Sequence, residues 1–127
     1  MAKNQLSDTE RAAVKGLLAA EHERTSALAA ALARDFDEIV AGSETANLDD
    51  EHDPEGATIA FERAQVVALL SQARAHLADL DESSKRLSTN TSGICAGCGN
   101  RISIERLAAR PTARTCVACT ATRPRRS

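Results

Sequence analysis

The sequence predicts an all-α dominated chain in which a long antiparallel helical hairpin, a coiled coil, is followed by a small four-cysteine finger. Three observations predict it. Apolar residues recur at helical spacing through two long stretches. The 127 residues include two Phe and no Tyr or Trp, while Ala and Leu dominate, which favours helices over a sandwich or barrel. The four cysteines fall as two CxxC pairs, Cys95-Ala96-Gly97-Cys98 and Cys116-Val117-Ala118-Cys119, with seventeen residues between them.

The first helix begins at a capping box. Ser7-Asp8-Thr9-Glu10 places a Ser N-cap three residues before a Glu, so each side chain can satisfy the other's backbone N–H. Asp8 and Glu10 also suit the positive end of the helix dipole. The helix is expected from Asp8 to Ala41, with Gly42 as its C-terminal stop. Its apolar positions are Val14, Leu17, Leu18, Leu28, Leu32, Phe36 and Ile39, the last four stepping by 4, 4 and 3. The second helix is expected from Ala57 to Leu87. Its seam reads Ile59, Arg63, Val66, Leu70, Ala73, Leu77, Leu80, Ser84, Leu87, a heptad stripe with two polar exceptions. Each helix would span about 45–50 Å. Each exposes one apolar stripe and needs a partner, and a hairpin is the simplest solution.

Between them, residues 42–56 form a connection too long for a minimal turn, and long ordered connections are often functional. It is acidic. From Asp35 to Glu55 there are nine carboxylates and no Lys or Arg. Asp53-Pro54 is a helix-start dipeptide, with Asp as N-cap and Pro at the first helical position. Asp49, Asp50, Glu51 and Asp53 are therefore expected at the hairpin tip, with His52 read as polar surface among them.

After the second helix, the Ser/Thr-rich stretch Ser88-Thr89-Asn90-Thr91-Ser92-Gly93 leads into the first knuckle. Two CxxC turns aim four thiolates at one point, the closed tetrahedral geometry of structural zinc, with Cys95, Cys98, Cys116 and Cys119 as ligands. Gly97 and Gly99 suit the first knuckle because glycine takes positive φ and lets the backbone pass close to sulfur. Two alternatives are a pair of disulfides and iron in a thiolate cage. Four thiolates leave no open position, so a catalytic metal is not expected. Ile102, Ile104 and Leu107 could pack over the cage. Residues 1–88 are thus read as the hairpin, 89–120 as the finger and 121–127 as a disordered basic tail.

The net charge of −2 hides an asymmetry: residues 1–56 carry a net −8, residues 57–88 a net of zero, and residues 89–127 a net +6. One end suits a cationic partner and the other tolerates an anionic one. No apolar run approaches the roughly 20 residues that span a bilayer. Met1-Ala2-Lys3-Asn4-Gln5 lacks a secretory apolar segment, so a soluble cytoplasmic protein is expected. No Ser-His-Asp, Cys-His or P-loop arrangement is present, and no enzyme is expected.

A long hairpin with an acidic tip, followed by this finger, resembles the DksA/TraR family of bacterial transcription regulators. The finger carries the 2-17-2 cysteine spacing, Cys98-Gly99, Ile102, Arg106-Leu107, Ala109 and Pro111. The family's tip pattern is Asp-x-x-Asp-x-Ala. Here Asp50 and Asp53 stand at its two aspartates and Glu55 replaces the alanine. Ser92 stands where an aromatic is common, and the N-terminal extension and C-terminal helix of longer members are read as missing or shortened. The resemblance implies a monomer with one structural Zn2+ that binds RNA polymerase and inserts the hairpin into its secondary channel. The tip then approaches the catalytic magnesium region, where carboxylates can engage magnesium or basic residues. In this family the alarmone ppGpp often acts together with the protein. Two other readings stay open. One is a zinc-finger DNA-binding protein, since GATA-type fingers share the spacing, although phosphate would repel the acidic hairpin. The other is a coiled-coil adaptor that dimerises through the Leu70–Leu87 seam.

Overall fold

The computed structural model describes residues 5–46 and 54–122. Within these residues four helices follow in order: α1 (Asp8–Ala46), α2 (Pro54–Ser88), α3 (Ile104–Ala109) and α4 (Val117–Thr122). Among the described residues there is no strand, only an isolated antiparallel bridge between Ile94 and Arg101. No helix among the described residues is long and apolar enough to cross a membrane. The chain divides into two compact units, one of Met1–His22 with Ala78–Ser127 and one of Glu23–Leu77.

The start of α1 is the expected capping box. The Glu10 N–H donates to Ser7 Oγ at 3.1 Å, and the Ser7 N–H donates to Glu10 Oε1 at 2.9 Å. The end differs from expectation. α1 continues past Gly42 to Ala46, and Gly42 is not in the left-handed conformation that ends helices. A mid-helix glycine costs only about 1 kcal/mol relative to Ala, and no proline follows to enforce a stop. α2 starts at Pro54, three residues before the expected Ala57, with proline at the position where its missing N–H costs nothing.

α2 ends in a motif that residue spacing did not reveal. Asn90 adopts φ +62°, the left-handed position that most often holds glycine. The Thr91 N–H then reaches the Arg86 carbonyl at 2.9 Å, and the Asn90 N–H reaches Leu87 at 3.3 Å. This paired pattern satisfies carbonyls that a helix end leaves open. Thr89 Oγ1 and Thr91 Oγ1 donate to the same Arg86 carbonyl, and Arg11 Nη2 donates to the Leu87 carbonyl at 3.1 Å.

In the first unit α1 and α2 run antiparallel, as the Arg11–Leu87 bond and the pair His22 Nε2 to Asp81 Oδ1 at 3.3 Å require. The buried apolar residues here are Leu6, Val14, Leu18, Leu80, Leu87, Ile102 and Leu107, together with Cys95. In the second unit the buried ones among the described residues are Thr25, Leu32 and Ala73. The seam departs from the expected stripe at three places. Leu28 is 53% exposed, Arg63 is exposed, and Ser83 is buried while Ser84 is exposed. Burial of Ser83 is tolerated because its hydroxyl accepts from Arg86 Nη2 at 2.9 Å. Ala121 and Thr122, assigned from sequence to a disordered tail, close α4; residues 123–127 lie outside the described residues.

Candidate metal centre

The finger is built on a short antiparallel contact. The Ile102 N–H donates to the Gly93 carbonyl and the Cys95 N–H to the Asn100 carbonyl, both at 2.7 Å. These bonds turn the chain back so that Cys95 and Cys98 lie on one side of the knuckle. The Gly99 N–H closes the turn on the Cys95 carbonyl at 2.9 Å, with Gly99 at φ +76°. Gly97 is required for a different reason. A Cβ there would lie 3.1 Å from Cys119 Sγ and 3.3 Å from Cys119 Cβ, so a side chain would crowd the opposite knuckle.

The second knuckle is held from the first by the Ala96 N–H donating to the Arg114 carbonyl at 2.8 Å. Arg106 does the rest. Its Nε donates to the Thr115 carbonyl at 2.7 Å and its Nη2 to Thr120 Oγ1 at 3.1 Å. In the structure it clamps the segment that carries Cys116 and Cys119. Arg101 is paired with Glu10 at the start of α1. Ile102 and Leu107 are fully buried beside the cage, and Ile104 is only half-buried. Ser103 caps α3 by accepting from the Arg106 N–H.

These contacts bring the four sulfurs of Cys95, Cys98, Cys116 and Cys119 within 4.8 Å of one another. Cys98 Sγ and Cys116 Sγ are 3.9 Å apart. A zinc ion with bonds of about 2.3 Å in a tetrahedron would set its sulfurs about 3.8 Å apart. None of the four is in a disulfide, and 3.9 Å is far beyond an S–S bond. The polar surroundings fit thiolates as well. The Cys116 and Gly97 N–H groups each donate to Cys95 Sγ at 3.3 Å, and the Cys119 N–H donates to Cys116 Sγ at 3.5 Å. The N–H of Cys116, with help from those of Cys98 and Gly97, draws the Cys95 thiol down to about 6. Cys119 is pushed up to about 12 by the sulfurs of Cys95, Cys116 and Cys98 crowding it. Four thiols this close cannot all ionise without a cation, so the cluster is matched to a divalent metal, whose binding would release protons. Its chemistry would be structural, because four thiolates leave no position for a substrate.

The other expected site residues, Asp49, Asp50, Glu51 and Asp53, lie outside the described residues, as does His52. Of the acidic approach to them, Asp35, Asp37 and Glu38 are described, and Asp35, Asp37 and Glu38 are all exposed on α1.

Residues 90–125 match the family model of the prokaryotic dksA/traR C4-type zinc finger. The uncharacterised protein YteA of Bacillus subtilis (strain 168) is 42% identical over 66 residues, which are 52% of this chain and 28% of that protein. The chain therefore spans well under two thirds of that relative. The transcription factor DksA2 of Pseudomonas aeruginosa superposes with a TM-score of 0.77 at 22% identity, over 94% of this chain and 85% of DksA2. The finger is thus of the DksA/TraR type, with four cysteines positioned for one metal ion, and the two long helices and finger share the fold of DksA2.

Proposed function

We propose that this chain is a transcription regulator that binds RNA polymerase directly and acts through the secondary channel. One observation carries the reading: a DksA/TraR-type finger is joined to a DksA-like pair of long helices, and the segment joining those helices holds four of the nine carboxylates between Asp35 and Glu55. The finger supplies a fixed base. The helices carry Asp50 and Asp53, flanked by Asp49 and Glu51, toward a site rich in magnesium and basic side chains. Carboxylates are hard oxygen donors suited to both. The protein would alter initiation without performing chemistry itself, working in the bacterial cytoplasm as a monomer. ppGpp is the small molecule whose participation the transcription assay should include.

Binding of the zinc-loaded protein to purified core polymerase tests the reading. The Asp50→Asn, Asp53→Asn double variant runs beside it in a transcription assay. The expected result is near-normal binding by the variant with loss of the transcriptional effect. An unchanged transcription profile for the variant rules out the tip mechanism. Failure of the wild type to bind at low and physiological salt removes polymerase as the partner. Salt-sensitive DNA binding without polymerase would then favour a DNA-binding finger.

A further inference from the structure

The first unit carries a groove of about 560 Å³ between the beginning of α1 and the end of α2. It is bounded by Asp8, Arg11, Lys15 and His22 on α1 and by Ser84 and Ser88 on α2. The floor is apolar, with Leu18 and Leu87 almost fully buried beneath it. This groove exists because its walls are built of small side chains. Ser84 stands exposed on α2, and α1 faces it with Ala12 and Ala19. The volume lies within the range of ligand pockets, roughly 300–1,000 Å³.

Its charge is not balanced. Arg11 and Lys15 stand one helical turn apart on one wall, and Asp8 is the carboxylate among the lining residues. The Arg11 guanidinium is held in place. Its Nη2 is on the Leu87 carbonyl, and its Nε is buried without a hydrogen bond among the described residues. Lys15 is exposed and forms no ion pair there. The Ser84 hydroxyl likewise has no hydrogen-bond partner among the described residues. His22 closes the far end, with Nε2 on Asp81. Fixed cation, mobile cation and free hydroxyl face one another over an apolar floor.

We propose that this groove binds a small amphiphilic anion, an oxyanion carried on an apolar body, with Arg11 and Lys15 on the oxyanion and Leu18 and Leu87 beneath the body. The assignment is independent of the polymerase reading, since it uses neither the tip nor the finger. A buried apolar surface and a charge-assisted contact together give such a ligand both affinity and orientation.

The test uses the full-length, zinc-loaded protein and the aromatic sulfonate 1-anilinonaphthalene-8-sulfonate as probe. Saturable fluorescence enhancement at one site is expected. Lys15→Glu should weaken it about tenfold or more, and Ala19→Phe, which fills the groove, should do the same. Both positions are exposed, so helical circular dichroism and zinc content should stay unchanged. Phe61→Ser should leave the binding as it is, because Phe61 is the most exposed large apolar side chain described and would dominate non-specific binding. Inorganic phosphate and octanoate are then used as competitors. Displacement by phosphate identifies a phosphate ester class, and displacement by octanoate a carboxylate class. No saturable binding, binding indifferent to both groove variants, or displacement by neither anion overturns the proposal.

Discussion

The two units use the same helices and hold them by different means. In the unit of Met1–His22 with Ala78–Ser127, helix packing is reinforced by the finger, by Arg11 on the end of α2 and by the Glu10–Arg101 pair. In the unit of Glu23–Leu77, Thr25, Leu32 and Ala73 are the buried ones among the described residues, while Leu28, Phe61, Val67 and Leu69 face solvent. Apolar burial contributes about 25 cal/mol per Å², so the first unit holds most of the stabilising area. The second depends more on helix propensity, which its Ala-rich sequence supplies. A helical unit with little core of its own belongs to the low-stability end of a structure, where opening is easy. The comparison teaches that burial is concentrated in one part of a single pair of helices.

Removing the metal should break the comparison most severely. Structural zinc contributes on the order of 10 kcal/mol to folding of small metal domains. Chelation, or Cys95→Ser, should therefore abolish proteolytic resistance across residues 89–120, and the first unit should lose its advantage in hydrogen exchange. Retained protection after verified metal removal would contradict a metal-built finger. Next in size are core truncations. Leu80→Ala in the first unit should cost about 3–5 kcal/mol and Leu32→Ala in the second about 2 kcal/mol or less, read by denaturant unfolding of the zinc-loaded protein. Equal losses would mean that the second unit is better packed than its exposed apolar residues indicate.

Smaller effects sharpen the same contrast. Ser7→Ala removes the cap of α1 and should cost about 1 kcal/mol. Glu10 is held below the ordinary carboxylate range, first by the Ser7 N–H and then by Arg101. A carboxyl depressed in the folded state adds stability above its unfolded pKa and loses it as pH falls through the lower folded value. Glu10→Gln should therefore flatten the acid side of the stability profile between those two values; an unchanged profile would show that the carboxylate is not the source. Phe61→Ser on the second unit should change stability by no more than about 0.5 kcal/mol.

The elements most readable in the sequence are those with strong local chemistry. The capping box at Ser7 and Glu10, the proline that opens α2 and the 2-17-2 cysteine spacing each dictate one local arrangement. The seam was less readable. Leu28 fits an apolar spacing, yet Thr25 and Leu32, almost two full turns apart and nearly in line, take the buried slots, and Leu28 lies about 40–60° round the helix from that line, a difference that only the partner helix turns into burial or exposure. The choice of Ser83 over Ser84 turns on a bond from Arg86, and the role of Arg106 on the Thr115 carbonyl and the Thr120 hydroxyl, nine and fourteen residues away. The Asn90 turn resembles ordinary loop sequence, since asparagine announces a left-handed residue less plainly than glycine.

The antiparallel arrangement of α1 and α2 also separates the order of folding from the seat of stability. In the second unit, Ala33 and Phe36 share a groove with Val67 and Leu70, roughly 30 to 40 residues along the chain. The Arg11–Leu87 bond spans 76 residues, and Glu10 is paired with the still more distant Arg101. Loop closure favours the nearer contacts first, by a modest entropic margin. Early pairing is therefore expected in the sparsely packed region, and the well-packed base should lock last. Substitutions at Leu32 should slow refolding, whereas substitutions at Leu80 or Ile102 should chiefly hasten unfolding. The chain would then begin its structure in one place and keep it in another.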